Sequence, residues 1–100
     1  MKYVLMGQSA VPEPDLLKWA EWFQTANRVV KRTEVPGGLI STVFLGVDHN
    51  FQGGGPPILF ETMTLADGES AGYKLCSTWS EAEKQHDEAV TLWLSKWAKR

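Results

Sequence analysis

A chain of 100 residues with 43% hydrophobic side chains is the size of one domain, long enough for a real core but too small to hide most of its surface. Ten basic against twelve acidic side chains give a formal net charge of −2, which argues against broad electrostatic capture of nucleic acid. The single cysteine, Cys76, excludes an intramolecular disulfide and a cysteine-based zinc site, and it fits a reducing, cytoplasmic setting. The opening MKYVLMGQSA is too brief an apolar run for a signal peptide, and no segment approaches a membrane span, so a protein without membrane attachment is expected. Five tryptophans are many for this length and raise the expectation of an interface, where tryptophan is enriched.

In chain order, Lys2–Met6 has the composition of a short strand, and Gly7–Glu13 reads as a connection. Pro14 suits the first turn of a helix, in which Leu16, Trp19, Ala20, Phe23 and Ala26 recur at helical spacing while Trp22 falls off the stripe. Arg28–Val35 alternates charged and apolar residues, with Val30 out of step, as a half-exposed strand would. Pro36-Gly37-Gly38 turns the chain into Leu39–Val47, a strand apolar on both parities and therefore expected to be covered on both faces or paired with another subunit. A second strand, Ile58–Leu65, is followed by a polar turn, Ala66–Gly72, and a short strand, Tyr73–Ser77. Thr78 and Glu81 form the ends of a capping box. The helix after it carries Ala82, His86, Ala89, Val90, Trp93 and Trp97 on one stripe. The expected fold is α+β: a mainly antiparallel sheet of four or five strands with two helices on one face, in the order β-α-β-β-β-β-α.

The runs STVFLGVDHNF, PPILFETM and STWSEAE with His86 following, preceded by WAEWFQTANR, resemble a family of short, uncharacterised proteins from bacteriophages and bacteria. The resemblance covers roughly two thirds of the chain and carries no catalytic residue over. It implies an accessory protein, phage-borne, rather than a housekeeping enzyme.

The loop between the two central strands draws the most attention. A hairpin needs only two to five residues, whereas here Asp48-His49-Asn50 and Phe51 lead into Gly53-Gly54-Gly55 and Pro56-Pro57. Asp48 beside His49 suits a divalent metal or acid–base work, but adjacent residues of an extended chain point apart, and the plainer expectation is a turn bonded to its own amides. The glycines permit close backbone approach to a ligand, yet no Gly-Lys-Ser/Thr follows, so this is no Walker loop. Glu61, flanked on its own face by Leu59 and Met63, must find a donor or change its protonation; tryptophan indoles, Tyr73, His86 and the arginines are the candidates. His86, inside an apolar stripe, is expected as a core residue bonded to a backbone carbonyl, with a ligand role as the alternative.

The function expected from these features is non-catalytic: an accessory protein, homo-oligomeric, that binds a host protein or a small molecule such as a nucleotide through residues 48–57. Asp48, His49, Asn50, Phe51, Gly53, Gly54, Glu61 and His86 are the candidate binding residues, with no cofactor and no bound metal. The alternative is a small metal-dependent hydrolase built on Asp48, His49, Glu61 and His86.

Overall fold

The structure, a computed structural model, describes all 100 residues. Its elements are β1 (Tyr3–Met6), β2 (Ser9–Pro12), α1 (Leu16–Thr25), β3 (Val29–Val35), β4 (Gly38–Phe44), β5 (Phe60–Ala66), β6 (Glu69–Cys76) and α2 (Trp79–Ala98). The strands β3-β4-β5-β6 form an antiparallel meander, and β1-β2 make a separate hairpin. The expected α+β fold is therefore present, with β4 and β5 paired from Gly38↔Ala66 to Phe44↔Phe60.

Alternation along the strands gives the sheet two unlike faces. Ile40, Thr42 and Phe44 of β4, with Phe60 and Thr62 of β5, are buried beneath α2, which crosses all four strands. The core collects at one end of this face, where Phe44, Leu59, Phe60, Cys76 and Ala82 pack together under Tyr3, Leu5, Trp22 and Trp79. α1 and the hairpin close that end: Trp22 meets Phe44 edge-on at 5.9 Å, and the Trp19 indole donates to the carbonyls of Tyr3 and Gly46, both at 3.0 Å. No helix or strand covers the other face. Leu39, Ser41 and Val43 lie there beside Glu61, Met63 and Leu65, with Tyr73 and Leu75 on β6.

Both helices start as their residues dictate. The Asp15 carboxylate accepts from the amides of Leu17 and Lys18, so Asp15 caps α1 and Pro14 lies just outside it rather than in its first turn. Thr78 and Glu81 exchange the two bonds of the capping box on α2. α2 ends over the β3–β4 turn. Trp93 donates to the Pro36 carbonyl at 2.7 Å, and Trp93 and Trp97 stack at 6.4 Å above Gly37 and Gly38. A Cβ on Gly38 would come within 2.5 Å of the Leu65 carbonyl and 2.9 Å of Trp93, so only glycine admits the indole there.

Several expectations change. Gly7–Glu13 is not a plain connection, because Ser9–Pro12 folds back on Tyr3–Met6 through a two-residue turn. The half-buried side of α1 and its C-cap is Trp19, Trp22, Phe23 and Ala26; Leu16 and Ala20 are exposed, so Trp22 belongs to the core side. β4 ends at Phe44, and the chain beyond Gly46 joins β1 through the Lys2↔Val47 bridge. The polar turn of residues 66–72 shrinks to Asp67-Gly68, since β6 begins at Glu69. Val30 was out of step because the β3–β4 register shifts between Val29 and Lys31, and the bulge turns Val30 toward the core. All five tryptophans are half-buried against the chain's own residues, and none is fully buried.

Candidate functional site

The loop from Asp48 to Pro57 is built from the inside by its polar residues. The Asp48 carboxylate accepts from the amides of Asn50 (2.8 Å) and Ile58 (2.9 Å), which bridges the two ends of the loop and holds this carboxyl below its ordinary range. The Asn50 side chain donates to the Gly54 carbonyl at 2.6 Å and to that of Pro56 at 3.3 Å. His49 is fixed as well: its amide donates to the Ile58 carbonyl, and its Nδ1 lies 2.8 Å from the Val47 carbonyl. A carbonyl only accepts, so Nδ1 carries the proton and Nε2 is left as the free ring nitrogen. Gly53, Gly54 and Gly55 all have φ near +73°, and a Cβ on any of them would meet open space. Their glycine character thus answers to backbone conformation, in a run that other residues rarely adopt. What the loop presents outward is Phe51, 82% exposed, with the His49 ring 5.4 Å away.

His86 stands elsewhere, at the centre of the helix-covered face. Its Nε2 lies 2.8 Å from Thr33 Oγ1, and its Nδ1 lies 2.8 Å from Thr42 Oγ1, which in turn is 2.8 Å from Thr62 Oγ1. The ring's partners are hydroxyls of two adjacent strands, with a third joined through Thr42, rather than the backbone carbonyl expected from sequence. Burial, and then the Lys31 charge, hold the imidazole below its ordinary value, with Asp87 acting the other way. A neutral ring donates to one hydroxyl and accepts from the other, so the network is satisfied without a charge. The Lys31–Asp87 bridge (2.7 Å) beside it ties β3 to α2, raising the lysine's pKa and lowering that of the aspartate.

Glu61 lies on the opposite, open face, level with Val43 and Leu75 across the strands. It is half-buried and bonds to none of the donors expected for it, while Leu59 has turned into the core instead of flanking it. Asp48 and His49 sit in the loop, Glu61 on the open face and His86 under α2. These four side chains do not converge, and no three His, Cys, Asp or Glu residues form a group able to hold a metal ion. Cys76 is buried, with its thiol pushed up to about 11 by desolvation, so it is not a nucleophile near neutral pH.

Of the loop, only Pro57 lines a cavity. A groove of about 540 Å³ opens instead between α2 and the β5–β6 edge, lined by Thr62, Thr64, Tyr73, Lys74, Gln85, Trp93 and Lys96 among others. Gln85 Nε2 donates to the Leu75 carbonyl, while its Oε1 is buried without a partner. Sequence patterning missed this groove because its residues come from two distant segments. No helix is long and apolar enough to cross a membrane. Comparison with family models, with curated proteins and with solved structures yields no match.

Proposed function

We propose that this chain is a non-catalytic binding protein, the phage-type accessory protein that its resemblance implies, working as a homo-oligomer and engaging a host protein through the tip of the 48–57 loop. One observation carries this: Asp48 and Asn50 direct their polar groups inward to brace the loop, and that bracing holds Phe51 out in water. An exposed aromatic side chain on a braced loop binds with little ordering cost, which is the character of an interface anchor. The separation of Asp48, His49, Glu61 and His86 supports binding over the hydrolase alternative.

A photo-crosslinking residue placed at Phe51, compared with one at the exposed Leu17 of α1, tests the reading in bacterial cells. A discrete adduct is expected from position 51 alone, and Asp48→Ala should abolish it while leaving the circular dichroism spectrum unchanged. Identical adducts from both positions would refute a loop-tip site. The small-molecule version of the function is favoured at a different place, the α2–β6 groove, where Lys74 and Lys96 offer charge to an anion and Trp93 a ring for stacking. Native mass spectrometry of the purified protein mixed with nucleoside monophosphates checks it, and Lys74→Ala should remove any complex formed.

A further inference from the structure

The four-stranded sheet is covered by α2 on one side and by nothing on the other, yet its open face is the more aliphatic of the two. Leu39, Val43, Met63, Leu65 and Leu75 make a patch across β4, β5 and β6, interrupted by Ser41 and Glu61 and bordered on β3 by Arg32 and Glu34. We propose that a second copy of this chain occupies that face, the two sheets stacking into a layered dimer with one α2 on each outside. This rests on the homo-oligomer reading above and names the surface that it uses.

Area and shape point to this occupant. Only 10 of the 100 residues are buried, and the chain exposes 6506 Å². A folded monomer of its 11.2 kDa mass exposes about 5,700 Å² by the usual surface scaling, an excess of about 800 Å². That excess matches what one partner contributes to a standard interface, about 800 Å². The sheet face is of the size such a contact needs: four strands about 4.8 Å apart and seven residues long span roughly 450 Å² in projection, so two textured faces together remove on the order of 1,200 Å². The molecule is also slab-like, 49 × 30 × 22 Å, with a radius of gyration of 14.8 Å against about 13 Å for a rounded domain of this length. A slab bare on one broad side becomes rounder when doubled through that side. Facing sheets interdigitate at about 10 Å, so the side chains of this face can seat against those of a second copy.

Light scattering behind size exclusion, from micromolar to sub-millimolar protein, should give a mass rising to twice 11.2 kDa. Met63→Lys, and separately Leu39→Lys, should weaken self-association on the order of a hundredfold, because each buries an unpaired charge in the contact. Leu17→Lys, on the exposed apolar side of α1, should leave the dimer intact. A photo-crosslinker at Ser41 should trap covalent dimers, and one at Leu17 should not; this arm decides the matter if a lysine variant fails to fold. A dimer that persists in both lysine variants, or that gives no adduct at Ser41, would place the interface on another surface and overturn this inference alone. A mass of 11.2 kDa at every concentration would overturn the homo-oligomer reading with it.

Discussion

The two faces of the β3–β6 sheet invert the usual arrangement. Beneath α2, where burial is deepest, Thr33, Thr42 and Thr62 form a polar chain with His86. On the open side, in contact with water in the single chain, lie Leu39, Val43, Met63, Leu65 and Leu75. Hydrophobicity alone would have put α2 over the aliphatic side. The covered face tolerates its hydroxyls because each finds a partner within 2.8 Å, and an apolar cluster at one end, Phe44 with Leu59 and Phe60, supplies the burial that drives the collapse. A satisfied polar network also fixes register, since a one-residue slip of β4 against β5 would separate Thr42 from Thr62.

The sharpest way to break this contrast is to truncate a side chain on each face. Phe44→Ala removes a fully buried ring that touches Trp22 and Phe60 and should cost about 3–5 kcal/mol in urea unfolding. Met63→Ala, measured in dilute protein where no second copy is bound, should stay within about 0.5 kcal/mol of wild type. Equal losses would mean that the open face is packed within the single chain.

A smaller effect is expected within the polar chain. Thr42→Val preserves the shape but leaves His86 Nδ1 and the Thr62 hydroxyl without their partner, at a cost of about 1–3 kcal/mol by the same measurement. A neutral result would show that the network contributes packing only.

The gentlest probe is pH. The folded His86 has its pKa lowered from 6.5, so below that value the unfolded chain takes up a proton that the folded one resists. Stability should therefore fall as pH drops through the range just below 6.5, while the lowered carboxyls of Asp48 and Asp87 act only near and below 3.8. The slope below pH 6.5 should be reduced in His86→Gln; an unchanged slope would assign it to another group.

Much of the architecture was legible in the residues themselves. Asp15 and the Thr78–Glu81 pair mark helix starts because capping is local chemistry, and the α2 stripe through Ala82, His86, Val90 and Trp93 reads directly as a buried face. The Asp67-Gly68 pair could have placed the β5–β6 turn, since that dipeptide is the strongest short hairpin signal, but Glu69-Ser70-Ala71-Gly72 has so little strand propensity that it read as loop. The β1–β2 hairpin left no comparable trace. Ser9-Ala10-Val11-Pro12 becomes a strand because Tyr3–Met6 lies beside it.

The candidate site divides the same way. That Asp48 and Asn50 serve the loop's own backbone was foreseeable, because both residue types bond to amides and carbonyls a few positions away. The sequence alone also showed that Leu39–Val47 is apolar on both parities, which raised the expectation of cover on both faces or pairing with another subunit. Which side α2 takes depends on His86 meeting the hydroxyls of Thr33 and Thr42, 53 and 44 residues distant along the chain, and on Trp93 reaching the Pro36 carbonyl. Such long-range pairings carry no local signature. Only the tertiary structure decided that Glu61 lies on the face away from His86, because strand parity divides β5 into two faces without saying which one a helix will cover.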